Sequence, residues 1–157
     1  MMMRVVAASW LMLSGLAMSS CARPEDPARV ELRQRLEQET RLSDEELRRL
    51  CDEVGRTVEG KAFRIKDGEA TRELSGEQHS VVFRMLSNRA GVYDEGLRRE
   101  DGANYRVLNA PGRSNNAEIE ASERLWIDVE TFLPLRYQFS YAFPGYGDYA
   151  YDLILER

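Results

Sequence analysis

In "LPLRYQFSYAF" the odd positions hold Leu135, Tyr137, Phe139, Tyr141 and Phe143, and the even ones Arg136, Gln138, Ser140 and Ala142. A period of two marks a strand with one apolar face. "YAYDLIL" repeats it after the turn "PGYGD", with Tyr149, Tyr151, Leu153 and Leu155 in phase. Antiparallel pairing of Phe143 with Tyr149 sets Tyr141 by Tyr151, Phe139 by Leu153 and Tyr137 by Leu155, so that all the apolar residues share a face. The preceding segment agrees. A turn near Glu130 to Phe132 places Ile127 opposite Leu135 and Leu125 opposite Tyr137, with Trp126 and Asp128 on the reverse side. Residues 117–129 then form one long strand, Pro134 takes a position that needs no ladder donor, and "NYRVLNA" supplies a further strand across the turn-rich "PGRSNN".

The first half follows a helical period. In "LSDEELRRLCDEVGRTV", Ser43 and Glu46 form a capping-box pair, Leu42 precedes the cap to staple against Leu47, and Leu47, Leu50, Cys51, Val54 and Val58 make one stripe. "PARVELRQRLEQE" is weakly patterned and reads as an exposed helix. "AFRIKDGEATREL" carries Asp67-Gly68 between two short segments, a hairpin signal. "LSGEQHSVVFRMLSN" offers Ser75 and Gln78 as a cap, with Val81, Val82, Met85 and Leu86 on one side of a short helix that Phe83 interrupts. "NRAGVYDEGLRREDGAN", rich in glycine and charge, reads as loop, with Asp94, Glu95, Glu100 and Asp101 on its surface. The expectation is an α+β domain over residues 28–157: an antiparallel β-meander of about four strands in the C-terminal half, covered by one or two amphipathic helices.

The N-terminus changes the picture. Arg4 is followed by a mostly apolar stretch from Val5 to Met18, then by Ser19, Ser20 and Cys21, the layout of a signal peptide over residues 1–20. A spanning helix needs about 20 predominantly apolar residues, and this run is shorter and broken by Ser9, Ser14 and Gly15. A small residue directly before a cysteine resembles the lipobox of bacterial lipoproteins, which implies acylation of Cys21 as the first mature residue. Ala22 in the next position then implies the outer membrane, facing the periplasm, with residues 21–27 as a polar tether. The alternative is a Cys21–Cys51 disulfide, since exported compartments are oxidising. The place of Cys21 at the end of the apolar run, and of Cys51 on an apolar helix face, favours acylation.

Beyond residue 20 the chain carries 21 basic and 27 acidic residues, a net of −6. That balance argues against a nucleic-acid partner, which needs a concentrated basic surface. Local chemistry is sparse. His79 is the sole histidine, so no zinc site assembles from histidines, and no metal or cofactor is expected. No G-x-S-x-G elbow occurs, and Gly145 and Gly147 lie between strands, where a hairpin turn explains them. Glu118 and Glu120 read as the wet face of a strand, with Glu123 left open. The reading is therefore non-enzymatic, and a hydrolase would need a serine, His79 and an acid to converge.

What stands out is aromatic crowding. Eight aromatic residues fall between residues 132 and 151, and Tyr137, Tyr141, Tyr149 and Tyr151 share the face expected to be covered. Buried tyrosines need partners for their hydroxyls, so this face suggests a rim, a groove or a wet cavity as well as a packed core. "RLWIDVETFLPLRYQFSY" resembles the late hairpin of LolA/LolB-like lipoprotein carriers, where a W-x-D strand turns into L-P-L-R and a second strand. The resemblance implies a curved antiparallel sheet closed by helices, with Trp126, Tyr137, Phe139, Tyr141, Tyr149 and Tyr151 bordering an apolar groove. The expected function is a membrane-tethered binding module for a lipid or amphiphile. The runner-up is an interaction lipoprotein whose sheet edge or "APGRSNNAE" loop docks onto an envelope protein.

Overall fold

The computed structural model describes residues 25–67, 69–112, 120–143, 145 and 147–156, and of residues 67, 78, 143 and 147–151 the backbone alone. The expected signal peptide, Cys21 and most of the "APGRSNNAE" loop lie outside these residues.

Two helices come first, α1 (Pro27–Leu36) and α2 (Asp44–Val58). α1 opens at the last residue of the expected tether: Pro27 stands in the first turn, where its missing N–H costs nothing, and Asp26 Oδ1 accepts from Ala28 N at 3.0 Å. It is not the exposed helix its weak pattern suggests, because Leu32 and Leu36 are both buried. α2 forms as its spacing predicts. Ser43 Oγ accepts from Glu46 N at 3.3 Å and Glu46 Oε2 from Ser43 N at 2.7 Å, and the five stripe residues are all buried, each contributing about 1.5–3 kcal/mol if aliphatic. A hairpin follows, β1 (Arg64–Asp67) and β2 (Ala70–Glu73), then the short helices α3 (Gly76–Val82) and α4 (Arg84–Ser87). The break falls at Phe83, whose backbone leaves the helix at φ −100° and ψ 12°. That turn buries Phe83 in place of Val81, which is left 50% exposed, while Val82, Met85 and Leu86 of the expected stripe are buried.

The rest is a meander: β3 (Tyr93–Glu100), β4 (Ala103–Pro111), β5 (Glu120–Asp128), β6 (Pro134–Phe143) and β7 (Gly147–Glu156). All pairings are antiparallel, and the order β2-β1-β7-β6-β5-β4-β3 adds the early hairpin to the last strand, with Ile65 opposite Leu155. The sheet thus has seven strands where about four were expected, and all four helical segments contribute buried residues to the core on one of its faces.

β3 corrects the loop expectation for residues 93–100. A bulge between Asp94 and Gly96 inserts Glu95 and resets the alternation, so that Asp94 and Leu97 both turn to the core side; period-two reading fails across such a break. Asp94, expected on the surface, is 4% exposed.

The later registers hold in face but not always in pairing. Leu125 lies opposite Tyr137 as expected, but Ile127 meets Pro134, because a bulge absorbs Leu135. Phe143 pairs with Gly147 and Tyr141 with Tyr149, two residues from the expected register. The turn is tighter than "PGYGD", with Gly145 at φ +82°, and a slip of two leaves every side chain on its original face.

Candidate functional site

The helix-covered face of β5, β6 and β7 loses its cover toward one end. Along β6, Tyr137 is 3% exposed, while Phe139 and Tyr141 are half-buried and their rings meet edge-on with centroids 4.4 Å apart. Beside them on β5, Glu123 lies opposite Phe139, on the same face as Leu125 and Ile127, and is 2% exposed. Arg84, at the start of α4, donates from Nη2 to Glu123 Oε1 and, at 3.3 Å, to Pro111 O. A charged pair is thereby held against the tyrosines.

Among the described residues, the Tyr137 hydroxyl is buried with no hydrogen-bond partner. Burial pushes its pKa up, and the neighbouring Glu123 carboxylate adds to the rise while Arg84 opposes it. The hydroxyl stays a neutral donor, in a place where an unmatched donor costs about 1–3 kcal/mol.

Of the six residues expected to border a groove, the structure brings together Tyr137, Phe139 and Tyr141. The backbones of Tyr149 and Tyr151 lie opposite Tyr141 and Phe139, with side chains outside the description. Trp126 does not belong with them. It alternates with the core residues Leu125 and Ile127 and so faces the other side of the sheet, where the Arg136 guanidinium sits 4.8 Å from its ring. Arg136 in turn donates from Nε to Asp152 at 2.7 Å. On that side Glu95 Oε1 also accepts from Asn109 at 2.6 Å and from Arg124 Nε at 2.9 Å. It is a polar face that also carries apolar groups, among them Trp126, Val107 and Tyr105, with Tyr93 at 48% exposure and Ile154 at 42% the most exposed.

The sequence reading missed Arg84 and left Glu123 open. The one available signal was its odd position on β5, in phase with Leu125 and Ile127. A second buried pair was missed outright: Arg106 and Asp94, whose side chains are 0% and 1% exposed and 3.1 Å apart. Arg106 also donates to Leu36 O, Gln38 O and Thr40 O, capping the end of α1. Asp94 accepts from the Leu42 and Gly96 backbones. Nearly every polar atom there is matched, and the pair clamps the α1–α2 connection to β3 and β4.

Cys51 is a free, buried thiol, pushed up by burial to about 11. His79 packs edge-on against Phe83, ring centroids 4.4 Å apart. Among the described residues, no helix is long and apolar enough to cross a membrane, and no cluster of three or more His, Cys, Asp or Glu is placed to hold a metal. Three cavities bordered by described residues lie beside α1, α2 and the β3–β4 and β5–β6 turns, and none of the three touches Tyr137, Phe139 or Tyr141.

The fold and site define an α+β domain, one antiparallel sheet under a helical layer, with a tyrosine-lined polar pair where the layer ends. Compared with known proteins, the chain matches no family model, no curated protein and no solved structure.

Proposed function

We propose that the protein is an envelope lipoprotein tethered through acylated Cys21, and that its domain is a non-catalytic module binding an amphiphile at the Tyr137–Tyr141 end of the sheet. The observation that carries this reading is the Tyr137 hydroxyl, buried and unmatched beside the Glu123–Arg84 pair. A ligand oxygen in reach of that hydroxyl satisfies it, and an apolar chain lies along Phe139 and Tyr141, whose edge-on pair parts to admit it. The free, buried state of Cys51 supports a role for Cys21 other than a disulfide. The exposed Ile154 and Tyr93 and the Arg136-capped Trp126 favour the second reading, a docking surface for an envelope protein on the reverse face.

Two experiments separate the parts of the proposal. Cys21→Ser shifts the protein from carbonate-washed membranes, which keep only anchored proteins, to the soluble fraction; unchanged retention on washed membranes rejects acylation. For the site, Tyr137→Phe keeps the fold, and gains a little stability by deleting an unmatched hydroxyl, but weakens binding of a fluorescent fatty acid about tenfold, or about 1.4 kcal/mol. Tyr141→Ala weakens it as well. Unaltered affinity in both variants, with native circular dichroism, rejects the site.

A further inference from the structure

α1 and α2 pack side by side, and with the turn between β5 and β6 they border a cleft of about 550 Å³, within the size range of small-molecule sites. Arg29, Arg56 and Lys61 line it, as do Glu25, Glu53 and Glu130. Most of these charges neutralise one another. Arg29 Nε lies 3.4 Å from Glu53 and 3.7 Å from Glu25, and Arg56 Nη2 lies 2.7 Å from Glu53. One group has no charged partner among the described residues and another has only a long, solvent-exposed one. The Lys61 ammonium has no ion pair or side-chain hydrogen bond among the described residues. Glu130, on the β5–β6 turn, is 72% exposed and reaches only Arg33 Nε, at 3.6 Å.

The Lys61 backbone is held by the turn that ends α2. Gly60 adopts φ +67°, a left-handed turn open to glycine, and Lys61 N then donates to Val58 O at 3.1 Å, folding the lysine back over the end of α2. The cleft therefore presents a positive group from the turn after α2 and a loosely paired negative one from the β5–β6 turn, with Thr131 also in its lining and most of the other charges paired. A simple anion would meet Glu130, and a simple cation would meet Lys61. A ligand carrying both charges satisfies both.

The position of the cleft identifies a source for such a ligand. Glu25, on its rim, is four residues beyond Cys21, a span of at most about 14 Å. We infer that the cleft takes the headgroup of a zwitterionic phospholipid from the leaflet holding the anchor, its phosphodiester at Lys61 and its primary ammonium at Glu130. The choice of a membrane source rests on the acylation reading; the chemistry of the cleft does not.

The test uses the isotopically labelled Cys21→Ser protein, so that headgroup recognition is read without an anchor. Titration with glycerophosphoethanolamine shifts the Lys61 and Thr131 amide signals with a millimolar dissociation constant. Inorganic phosphate and ethanolamine, each alone, bind about tenfold more weakly, and Lys61→Ala and Glu130→Ala each weaken binding about fivefold at unchanged thermal midpoint. Phosphate binding as tightly as the zwitterion, or no shift at about 50 mM, overturns the site. A second arm decides the source: phosphatidylethanolamine vesicles sediment the Cys21→Ser protein, and Lys61→Ala abolishes this. Titration without sedimentation overturns the membrane assignment and leaves a soluble ligand. Retention on carbonate-washed membranes bears only on Cys21, whereas vesicle sedimentation of the Cys21→Ser protein bears only on the cleft, so the two readings fail separately.

Discussion

The sharpest energetic consequence of the fold sits at Arg106. Its guanidinium is fully buried and donates to Leu36 O at 2.9 Å, Gln38 O at 2.6 Å, Thr40 O at 3.0 Å and Asp94 Oδ2 at 3.1 Å. Replacing it by methionine keeps much of the apolar stem and removes the donors. Three carbonyls at the end of α1 then lose a partner, and Asp94 keeps a buried charge held only by the Leu42 and Gly96 N–H groups. Breaking a buried pair from one side costs about 3–5 kcal/mol, a large share of the roughly 5–15 kcal/mol that holds a domain of this size together. Removing both partners does not restore stability, as it can for an isolated ion pair, because five backbone groups depend on these two side chains. Arg106→Met is therefore expected to cost about 4 kcal/mol in urea unfolding. Adding Asp94→Asn costs less than the two single changes together, with a coupling of about 1–3 kcal/mol. Arg99→Met is the control, since its pair with Glu39 at 2.8 Å is 64% and 70% exposed, and it changes stability by about 0.5 kcal/mol or less. A cost below about 1 kcal/mol for Arg106→Met, or strict additivity with Asp94→Asn, would refute the clamp.

Glu46 gives a pH dependence. Arg35 and the Ser43 backbone hold its carboxyl at about 2 against an ordinary 4.5, so its contribution is complete above about 4.5 and is lost as the pH falls toward 2. Glu46→Gln costs about 1 kcal/mol near neutrality, discounted for solvent access, and the two stability curves converge through that window; a constant offset counts against the assignment. Two glycines of opposite character test the packing. A Cβ on Gly112 meets Ala121 Cβ at 2.6 Å and Ser122 N at 2.9 Å, so Gly112→Ala destabilises by about 1–3 kcal/mol. Gly55 lies inside α2 with nothing within 4 Å of its Cβ position, so Gly55→Ala stabilises by about 0.5–1 kcal/mol. Thermal melts showing the same sign for both would contradict the two environments.

Legibility in the sequence followed the range of the interaction. α2 was readable because its cap joins residues three apart and its stripe repeats within two turns. The faces of β6 and β7 were readable for the same reason, whereas their register was not: a period-two signal is unchanged by a two-residue slip, and Gly145 in the turn decides between the choices. β3 vanished because the Glu95 bulge sets Asp94 and Leu97 on one side despite their odd spacing. α1 looked unanchored because much of its attachment is charged. Arg29 and Arg33 lie 4.9 and 5.8 Å from the Phe132 ring, itself 0% exposed at φ +60°. Phe132, from a distant turn, thus joins Leu32, Leu36 and the Arg106 cap in holding a helix whose own pattern is poor.

On the proposed reading, the two buried charged pairs play different parts at the two ends of the sheet. Both join residues far apart in the chain, 12 for Arg106 and Asp94 and 39 for Arg84 and Glu123, so neither left a local mark. Their surroundings differ. Around Arg106 the acceptors come from a chain reversal that could not otherwise be buried, and this matched polar cluster is a fastening. Around Glu123 the sheet supplies tyrosines, the helical cover thins from Tyr137 to Tyr141, and the Tyr137 hydroxyl is buried without a partner among the described residues. A domain built only for stability gains by phenylalanine at position 137, which keeps the ring and drops the unmatched group. Retaining the hydroxyl there, next to a charge and beside a half-buried aromatic pair, makes physical sense if something outside the chain completes it.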